Sequence, residues 1–85
     1  MPDPRRANIL GLGLIGGSLG LALRERGWLV TGDDVRPGRA AEALGRAIID
    51  AVGIDSLAEI TLVAAPVLAV PDLVRRALVE TRGIV

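Results

Sequence analysis

Three glycines near the start of the chain, Gly11, Gly13 and Gly16, are spaced as G-x-G-x-x-G. A short apolar run at residues 7–10 leads into the first of them, which predicts a buried strand. Gly27 follows the loop where a helix C-terminal glycine is expected. Between them, apolar side chains recur at the spacing of one helical face, at Ile15, Leu19, Ala22 and Leu23. A loop of this spacing between a strand and a helix is typical of nucleotide-binding folds. It therefore limits the choice of fold more than any other feature of the sequence.

The rest of the chain continues the alternation of strands and helices. The predicted elements are a first helix that ends at residue 26, strands at 29–32 and 60–65, helices at 39–46 and 70–82, and the beginning of a fourth strand at 84–85. Residues 47–58 are predicted to form a loop with a short extended piece. Strands that alternate with helices form parallel sheets with helices on both faces. We therefore predict an α/β fold with a Rossmann-type parallel sheet, about one half of a full dinucleotide-binding domain.

The composition narrows the chemistry that the chain can perform. Acidic and basic residues balance at ten each, without the basic stripe of a nucleic-acid-binding protein. The chain has no cysteine and no histidine, which excludes thiol nucleophiles, disulfides and the commonest general base and metal ligand. The scattered acids Asp50, Asp55 and Asp72 are interpreted as solvated or capping residues. We therefore expect no nucleic-acid partner, no metal site and no catalytic residue in the chain.

The length of 85 residues suits one small domain. The N-terminus lacks the long apolar run of a signal peptide. The most apolar stretch, residues 9–23, is broken by five glycines and is too short to span a bilayer. We therefore expect a cytoplasmic protein with no membrane partner.

Each glycine of the loop has a distinct expected role in holding a dinucleotide. Gly11 permits the tight turn out of the strand, and Gly16 lets the helix pack closely on it. Gly13 has no side chain to block the approach of a pyrophosphate. The backbone N–H groups of Leu14 and Ile15 then point at the phosphates, aided by the partial positive charge of the helix N-terminus. The expected partner is therefore a dinucleotide.

Asp34 is the expected contact to the adenine ribose. It lies 23 residues after Gly11, near the end of the second strand, and an acid at about this spacing bonds the ribose hydroxyls. An ionised carboxylate accepts from the 2′-OH and repels a 2′-phosphate, so NAD is favoured as the cofactor over NADP. Arg36 and Arg39 follow closely and would soften that repulsion.

A purely structural interpretation of the same residues stands beside this one. Glycine-rich turns between strands and helices also serve close packing, and an aspartate at a strand end often caps the next turn. Gly17 and Gly20, which follow the motif in the helix, are interpreted as packing residues rather than ligand contacts.

The run of residues 9–19, I-L-G-L-G-L-I-G-G-S-L, resembles the opening of the prephenate dehydrogenase family, which includes arogenate dehydrogenases. The doubled glycine followed by serine is more specific than the glycine motif alone. The resemblance continues through Val30-x-Gly32-x-Asp34, Ile49-Asp50 and the run L-V-A-A-P-V at residues 62–67.

This resemblance implies the NAD(P)-dependent oxidative decarboxylation of prephenate in tyrosine biosynthesis. It implies that the five loop residues Gly11 to Gly16 other than Leu12 bind pyrophosphate, that Asp34 binds the adenine ribose, and that Ala65 and Pro66 border the cofactor near its inner ribose. Members of the family continue through the rest of the nucleotide domain into a helical dimerisation domain, and their catalytic histidine and substrate-binding arginine lie in that part. The resemblance therefore implies that residues 1–85 are a partial NAD(P)-binding domain without the catalytic and dimerisation domain. The pair Glu59-Ile60 also departs from the family, which often has Ala-Asp at that point.

Three further hypotheses stay open at this stage. The chain is a dinucleotide-binding module or pseudo-enzyme with no catalysis of its own, or it is the NAD-binding segment of another dehydrogenase. The truncated sheet edge also predicts self-association between chains. The sequence does not distinguish prephenate from arogenate, because the family's substrate contacts are not in this segment.

Overall fold

The computed structural model describes residues 3–85. Its strands are β1 (Arg6–Leu10), β2 (Leu29–Asp33), β3 (Ala51–Val52) and β4 (Ile60–Val63). Its helices are α1 (Leu14–Glu25), α2 (Arg39–Gly45) and α3 (Val70–Glu80), the last preceded by a single 3₁₀ turn at Val67–Ala69. Strands and helices therefore alternate along the chain as the sequence predicts, except that β3 and β4 follow one another without a helix between them.

The four strands form one parallel sheet in the order β3-β2-β1-β4. The second strand of the chain pairs on one side of β1, and β4 pairs on the other. The loops that follow β1 and β4 therefore diverge at the carboxyl end of β1, which is the switch point where doubly wound sheets bind ligands. The predicted α/β fold with a Rossmann-type sheet is confirmed.

Helices cover both faces of the sheet because neighbouring residues of β1 point in opposite directions. Ile9 packs in one core cluster with Leu12, Val30, Ile49 and the small residues of α2. Leu10 packs in a second cluster with Leu73 and Ala77 of α3. The aliphatic composition thus fills two thin cores, one beneath α1 and α2 and one beneath α3.

Several element boundaries differ from their predictions. The third predicted strand ends at Val63 rather than at residue 65, because the chain turns away at Ala64 towards Pro66. The last helix ends at Glu80 rather than at residue 82, since Thr81 is extended and its N–H and hydroxyl both donate to the carbonyl of Ala77. The predicted start of a fourth strand is present as one parallel bridge between Ile60 and Ile84.

The loop between β3 and β4 is fastened to β1 by a buried polar network. Asn8 is fully buried, and its amide donates to the carbonyl of Asp55 at 2.9 Å and to the hydroxyl of Thr61 at 3.2 Å. In return the N–H of Asp55 donates to the Asn8 side-chain oxygen at 2.7 Å. The Asp55 carboxylate accepts from the Arg6 guanidinium at 2.6 Å and from the N–H of Leu57 at 3.0 Å. Asp55 is therefore an anchoring residue rather than a solvated one.

The interpretation of Asp50 changes in the same way, whereas that of Asp72 does not. One Asp50 oxygen accepts from the N–H of Val30 at 2.7 Å, and the other accepts from the Arg24 guanidinium at 3.0 Å. Asp50 thus links α1, β2 and the start of β3. The side chain of Asp72 is 84% exposed in the first turn of α3, where it pairs with Arg75.

Candidate functional site

The glycine loop leaves β1 at the switch point and enters α1 without a side-chain cap. Gly13 is the N-cap residue of α1, and its carbonyl accepts the first helical hydrogen bond, from the N–H of Gly17 at 2.8 Å. The N–H groups of the first helical turn have no acceptor within the helix. Leu14 and Ile15, which carry two of those groups, are 90% and 72% exposed. The loop therefore presents free backbone donors at the positive end of the helix dipole.

Two glycines of the loop are required by the fold itself. Gly11 has a positive φ of 106°, and a Cβ atom there would overlap the carbonyl of Ala64. A Cβ atom at Gly16 would overlap the carbonyl oxygen of Gly11. Both positions thus need glycine so that β1, α1 and the end of β4 can approach one another. For these two residues the structural role is sufficient by itself.

Gly13 differs from the other two because packing does not require a glycine there. Its backbone is extended, with φ of −76°. The nearest atom to a Cβ at Gly13 would be the Arg36 Nη2, at the ordinary contact distance of 3.5 Å. A methyl group would therefore fit in the protein alone, and it would intrude only on something bound above the loop.

The two glycines that follow the motif are also unlike each other. A Cβ at Gly20 would lie 2.9 Å from the carbonyl oxygen of Ile48, so Gly20 is a packing residue as predicted. A Cβ at Gly17 would meet nothing within 4 Å, so the packing role predicted for Gly17 is wrong.

Asp34 lies beneath the glycine loop and is almost completely enclosed, with 3% of its side chain exposed. One carboxylate oxygen accepts from the N–H of Leu12 and from Arg36 Nη2, both at 2.7 Å. The other accepts from the backbone N–H and the Nε of Arg36, both at 2.9 Å. Hydrogen bonds from the Arg36 side chain hold the pKa of Asp34 well below its usual range, against the opposing effect of burial. The carboxylate is therefore ionised at neutral pH.

The adjacent acid, Asp33, serves the opposite face of the sheet. Its carboxylate accepts from Arg76 of α3 at 3.1 Å, and its backbone carbonyl accepts from the N–H of Gly11 at 2.9 Å. This ion pair fixes α3 to the carboxyl end of β2. Sequence reasoning did not find it because the two residues are 43 positions apart and no local pattern links them.

A cavity of about 270 Å³ collects most of the predicted cofactor-binding residues. Its lining includes Gly11, Gly13, Asp34, Ala65 and Pro66, together with the side chain of Arg36. Leu14 and Ile15 line an adjoining open groove of about 690 Å³, which shares Gly13, Ala64 and Ala65 with that cavity. Gly16 lines neither and supports the loop from below. The structure thus brings seven of the eight predicted residues to two adjoining hollows at the switch point.

A third groove, of about 400 Å³, separates α1 from α2 and also begins at Gly13. Ser18 lies along it, but its hydroxyl donates to the carbonyl of Leu14 at 2.7 Å. Within residues 3–85, no three His, Cys, Asp or Glu side chains converge on a point where a metal ion would bind. None of the helices in this same part of the chain has the length and apolarity needed to cross a membrane.

No protein-family model and no curated protein sequence matches the chain. Two solved structures match it closely in fold. The arogenate dehydrogenase of Synechocystis superposes with a TM-score of 0.82 at 26% sequence identity, over 91% of this chain and 29% of that one. The prephenate dehydrogenase of A. aeolicus, in complex with hydroxyphenyl propionate and NAD⁺, gives a TM-score of 0.80 at 20% identity, over 95% of this chain and 31% of that one.

The chain therefore spans about three-tenths of the length of these two proteins. The resemblance that the glycine-loop sequence indicates is confirmed at the level of the fold. Over nearly its whole length, this chain is similar to one part of the arogenate and prephenate dehydrogenases.

Proposed function

We propose that this chain is the NAD-binding portion of a prephenate-dehydrogenase-like oxidoreductase. The observation that carries the proposal is the position of Gly13. The fold does not require a glycine there, yet Gly13 borders both adjoining hollows that hold the predicted residues and stands directly before the free N–H groups of α1. The missing side chain leaves room for a bound group, and the surrounding donors favour a negatively charged one.

Each predicted residue has a defined part in this proposal. The N–H groups of Leu14 and Ile15 would bind the pyrophosphate, and Asp34 would accept from the adenine ribose hydroxyls. Ala65 and Pro66, which line the same cavity as Asp34, would border the inner ribose. Because the Asp34 carboxylate stays ionised, it repels a 2′-phosphate and favours NAD over NADP.

Bound NAD would supply the hydride acceptor for the oxidative decarboxylation of prephenate or arogenate. None of the described residues is assigned to the substrate. The Asp34 and Arg36 side chains are the ionisable groups that line the cavity, and they are bonded to each other. Neither is available to exchange a proton with a substrate.

This arrangement favours a second candidate function for the chain taken alone, that of a dinucleotide-binding module without catalysis. Under either candidate, the chain mixed with NAD and prephenate should produce no NADH absorbance, because none of the described residues is assigned to the substrate. Clear NADH production would exclude the module and would assign catalysis to the chain itself.

The test of NAD binding compares two glycines four residues apart. Gly13→Ala places a methyl group in the proposed pyrophosphate site. Gly17→Ala places one on α1 where it meets nothing within 4 Å, in the groove between α1 and α2 and outside the two hollows of the proposed site. Titration of the labelled chain with NAD, followed by amide-correlation NMR, should shift the Gly11, Gly13 and Gly16 signals in the native chain. We expect NAD binding to weaken about tenfold or more in Gly13→Ala and to stay close to native in Gly17→Ala.

Native spectra that do not respond to NAD would contradict the proposed function. Equal affinity in the native chain and Gly13→Ala would also contradict it, because the loop would then not contact the ligand. A parallel titration with NADP should give weaker binding than with NAD.

A further inference from the structure

The Asp34 carboxylate has no acceptor capacity left for a ribose. An ionised carboxylate has about four lone-pair positions, and here four N–H donors occupy them. One donor is the backbone N–H of Leu12 in the glycine loop, and another is the backbone N–H of Arg36 in the turn after β2. The remaining two belong to the Arg36 guanidinium, which binds both oxygens side-on.

The Arg36 side chain is the part of this arrangement that is free to move. It is 49% exposed, whereas the Asp34 side chain is 3% exposed. Arg36 lies in the turn between β2 and α2 rather than in either element. Its Nη2 lies 3.5 Å from the position of a Cβ on Gly13, so the guanidinium extends across the space between Asp34 and the glycine loop. A ribose bound to Asp34 would have to enter that same space.

We propose that Arg36 is a specificity-determining residue that covers Asp34 in the free protein and competes with the adenine ribose for its carboxylate. This inference rests on the proposed function, because it concerns the same dinucleotide site. When a ribose binds, its hydroxyls replace the two guanidinium hydrogen bonds while the backbone donors stay in place. The chain therefore binds NAD more weakly than it would if Arg36 did not occupy the Asp34 carboxylate.

The displaced guanidinium also changes the discrimination between the two dinucleotides. It remains tethered two residues from Asp34, next to the edge of the ribose that carries the 2′ substituent. A cation there attracts a 2′-phosphate, which guanidinium groups bind side-on. Arg36 thus lowers the affinity for NAD and offsets part of the repulsion that Asp34 exerts on NADP. Its net effect is to narrow the preference for NAD.

The experiment measures the dissociation constants of NAD and NADP for the native chain, Arg36→Ala and Arg36→Lys. We expect Arg36→Ala to bind NAD more tightly and NADP more weakly than the native chain does. The dissociation constant of NADP divided by that of NAD should therefore rise about tenfold or more. Arg36→Lys keeps the charge without the side-on geometry. We expect it to bind NAD more tightly than the native chain and to bind NADP about equally well.

Arg26→Ala is the matched control, since it removes an exposed arginine at the end of α1 away from the glycine loop, where its side chain donates to the carbonyl of Ala22. Both constants should stay native in this variant. In the native chain the Arg36 Nε–H signal should move on addition of NAD, as its hydrogen bond to Asp34 breaks. Amide spectra of each variant confirm that the fold is retained.

Two results would overturn the proposal, and they are distinguishable. If Arg36→Ala binds NAD no better than the native chain, Arg36 serves to position Asp34 and not to compete for it, while the NAD site itself stands. If neither the native chain nor any Arg36 variant binds NAD or NADP, the proposed function fails and this inference fails with it.

Discussion

Gly16 and Gly17 are adjacent in the sequence but differ in what a methyl group at each would meet. At Gly16 it would overlap the carbonyl oxygen of Gly11, whereas at Gly17 it would meet nothing within 4 Å. The first glycine allows α1 to begin directly against the loop, and the second serves no packing contact in the described fold. Neighbouring glycines therefore differ strongly in how much a substitution would disturb the fold. The difference depends on how closely other backbone atoms approach each glycine, which the sequence does not show.

We predict that Gly16→Ala destabilises the chain by about 2 kcal/mol or more, because the loop must shift to relieve the overlap. Gly17→Ala should stabilise it by up to about 1 kcal/mol, since alanine favours the helix interior over glycine. Urea denaturation followed by circular dichroism measures both changes. A loss of stability in Gly17→Ala equal to that in Gly16→Ala would contradict this prediction, because it would show that a side chain is not tolerated at Gly17 either.

At the scale of elements, the sequence predicts the type and order of structure better than it predicts which face is covered. The apolar stripe of α1 includes Ile15 and Leu19, yet both are exposed, while Gly16 and Gly20 of the same helix are buried. Close approach of the helix backbone to the sheet selects the glycine face. Periodicity counts apolar side chains and so gives no weight to a face made of glycines.

The short strand β3 is the short extended piece predicted within residues 47–58, but the sequence does not locate it within that segment. Ala51 and Val52 are both exposed, so no apolar pattern marks the strand. The strand forms because Asp50 holds it against Val30 through its side chain and its backbone N–H. Likewise the loop residues and Asp34 are predicted from motif spacing, and Ala65 and Pro66 from the resemblance. The cover that Arg36 forms over Asp34 depends on side-chain geometry, which neither reveals.

The loop between β3 and β4 gives a pH dependence that belongs to this scale. Burial raises the pKa of Asp55, but hydrogen bonds from Arg6 and Leu57 outweigh it and hold the pKa below its usual range. The unfolded chain thus binds a proton more readily than the folded one. The resulting stability is fully present above the unfolded pKa of about 3.9 and is lost as the pH falls through the lower folded value.

We predict that the unfolding free energy falls as the pH decreases below about 4, and that Asp55→Asn makes this fall shallower. The same variant should lose about 1.5–3 kcal/mol at neutral pH, because Arg6 loses its charged partner. Asp72→Asn, at an exposed position of α3, should change stability by about 0.5 kcal/mol or less. Urea denaturation across the acid range checks all three, and an unchanged acid slope in Asp55→Asn would contradict the assignment.

At the scale of the whole molecule, the two faces of the sheet are not covered to the same extent. The buried cluster beneath α1 and α2 joins residues of β1 and β2, and β4 lies at the other side of β1. Leu62 pairs in register with Ile9, so both side chains point to this face. An open groove lined by Leu19, Leu62 and Val63 therefore runs between α1 and the edge strand β4.

We propose that two copies of the chain associate through the part of this groove lined by Leu19 and Leu62, whereas the proposed NAD site uses the part lined by Leu14 and Ile15. Contiguous exposed apolar surface favours association between chains. Sedimentation velocity across a wide concentration range should show a reversible equilibrium between monomer and dimer. Leu19→Glu places a charge in the groove and should weaken dimerisation about tenfold or more.

Leu21→Glu is the matched control on the same helix, because Leu21 lines the separate groove between α1 and α2. Its exposed fraction is similar, 44% against 37% for Leu19. Dimerisation should persist in Leu21→Glu. A native chain that sediments as a monomer at every concentration would contradict the proposed association. Equal weakening of dimerisation by both substitutions would show that the contact does not lie in this groove.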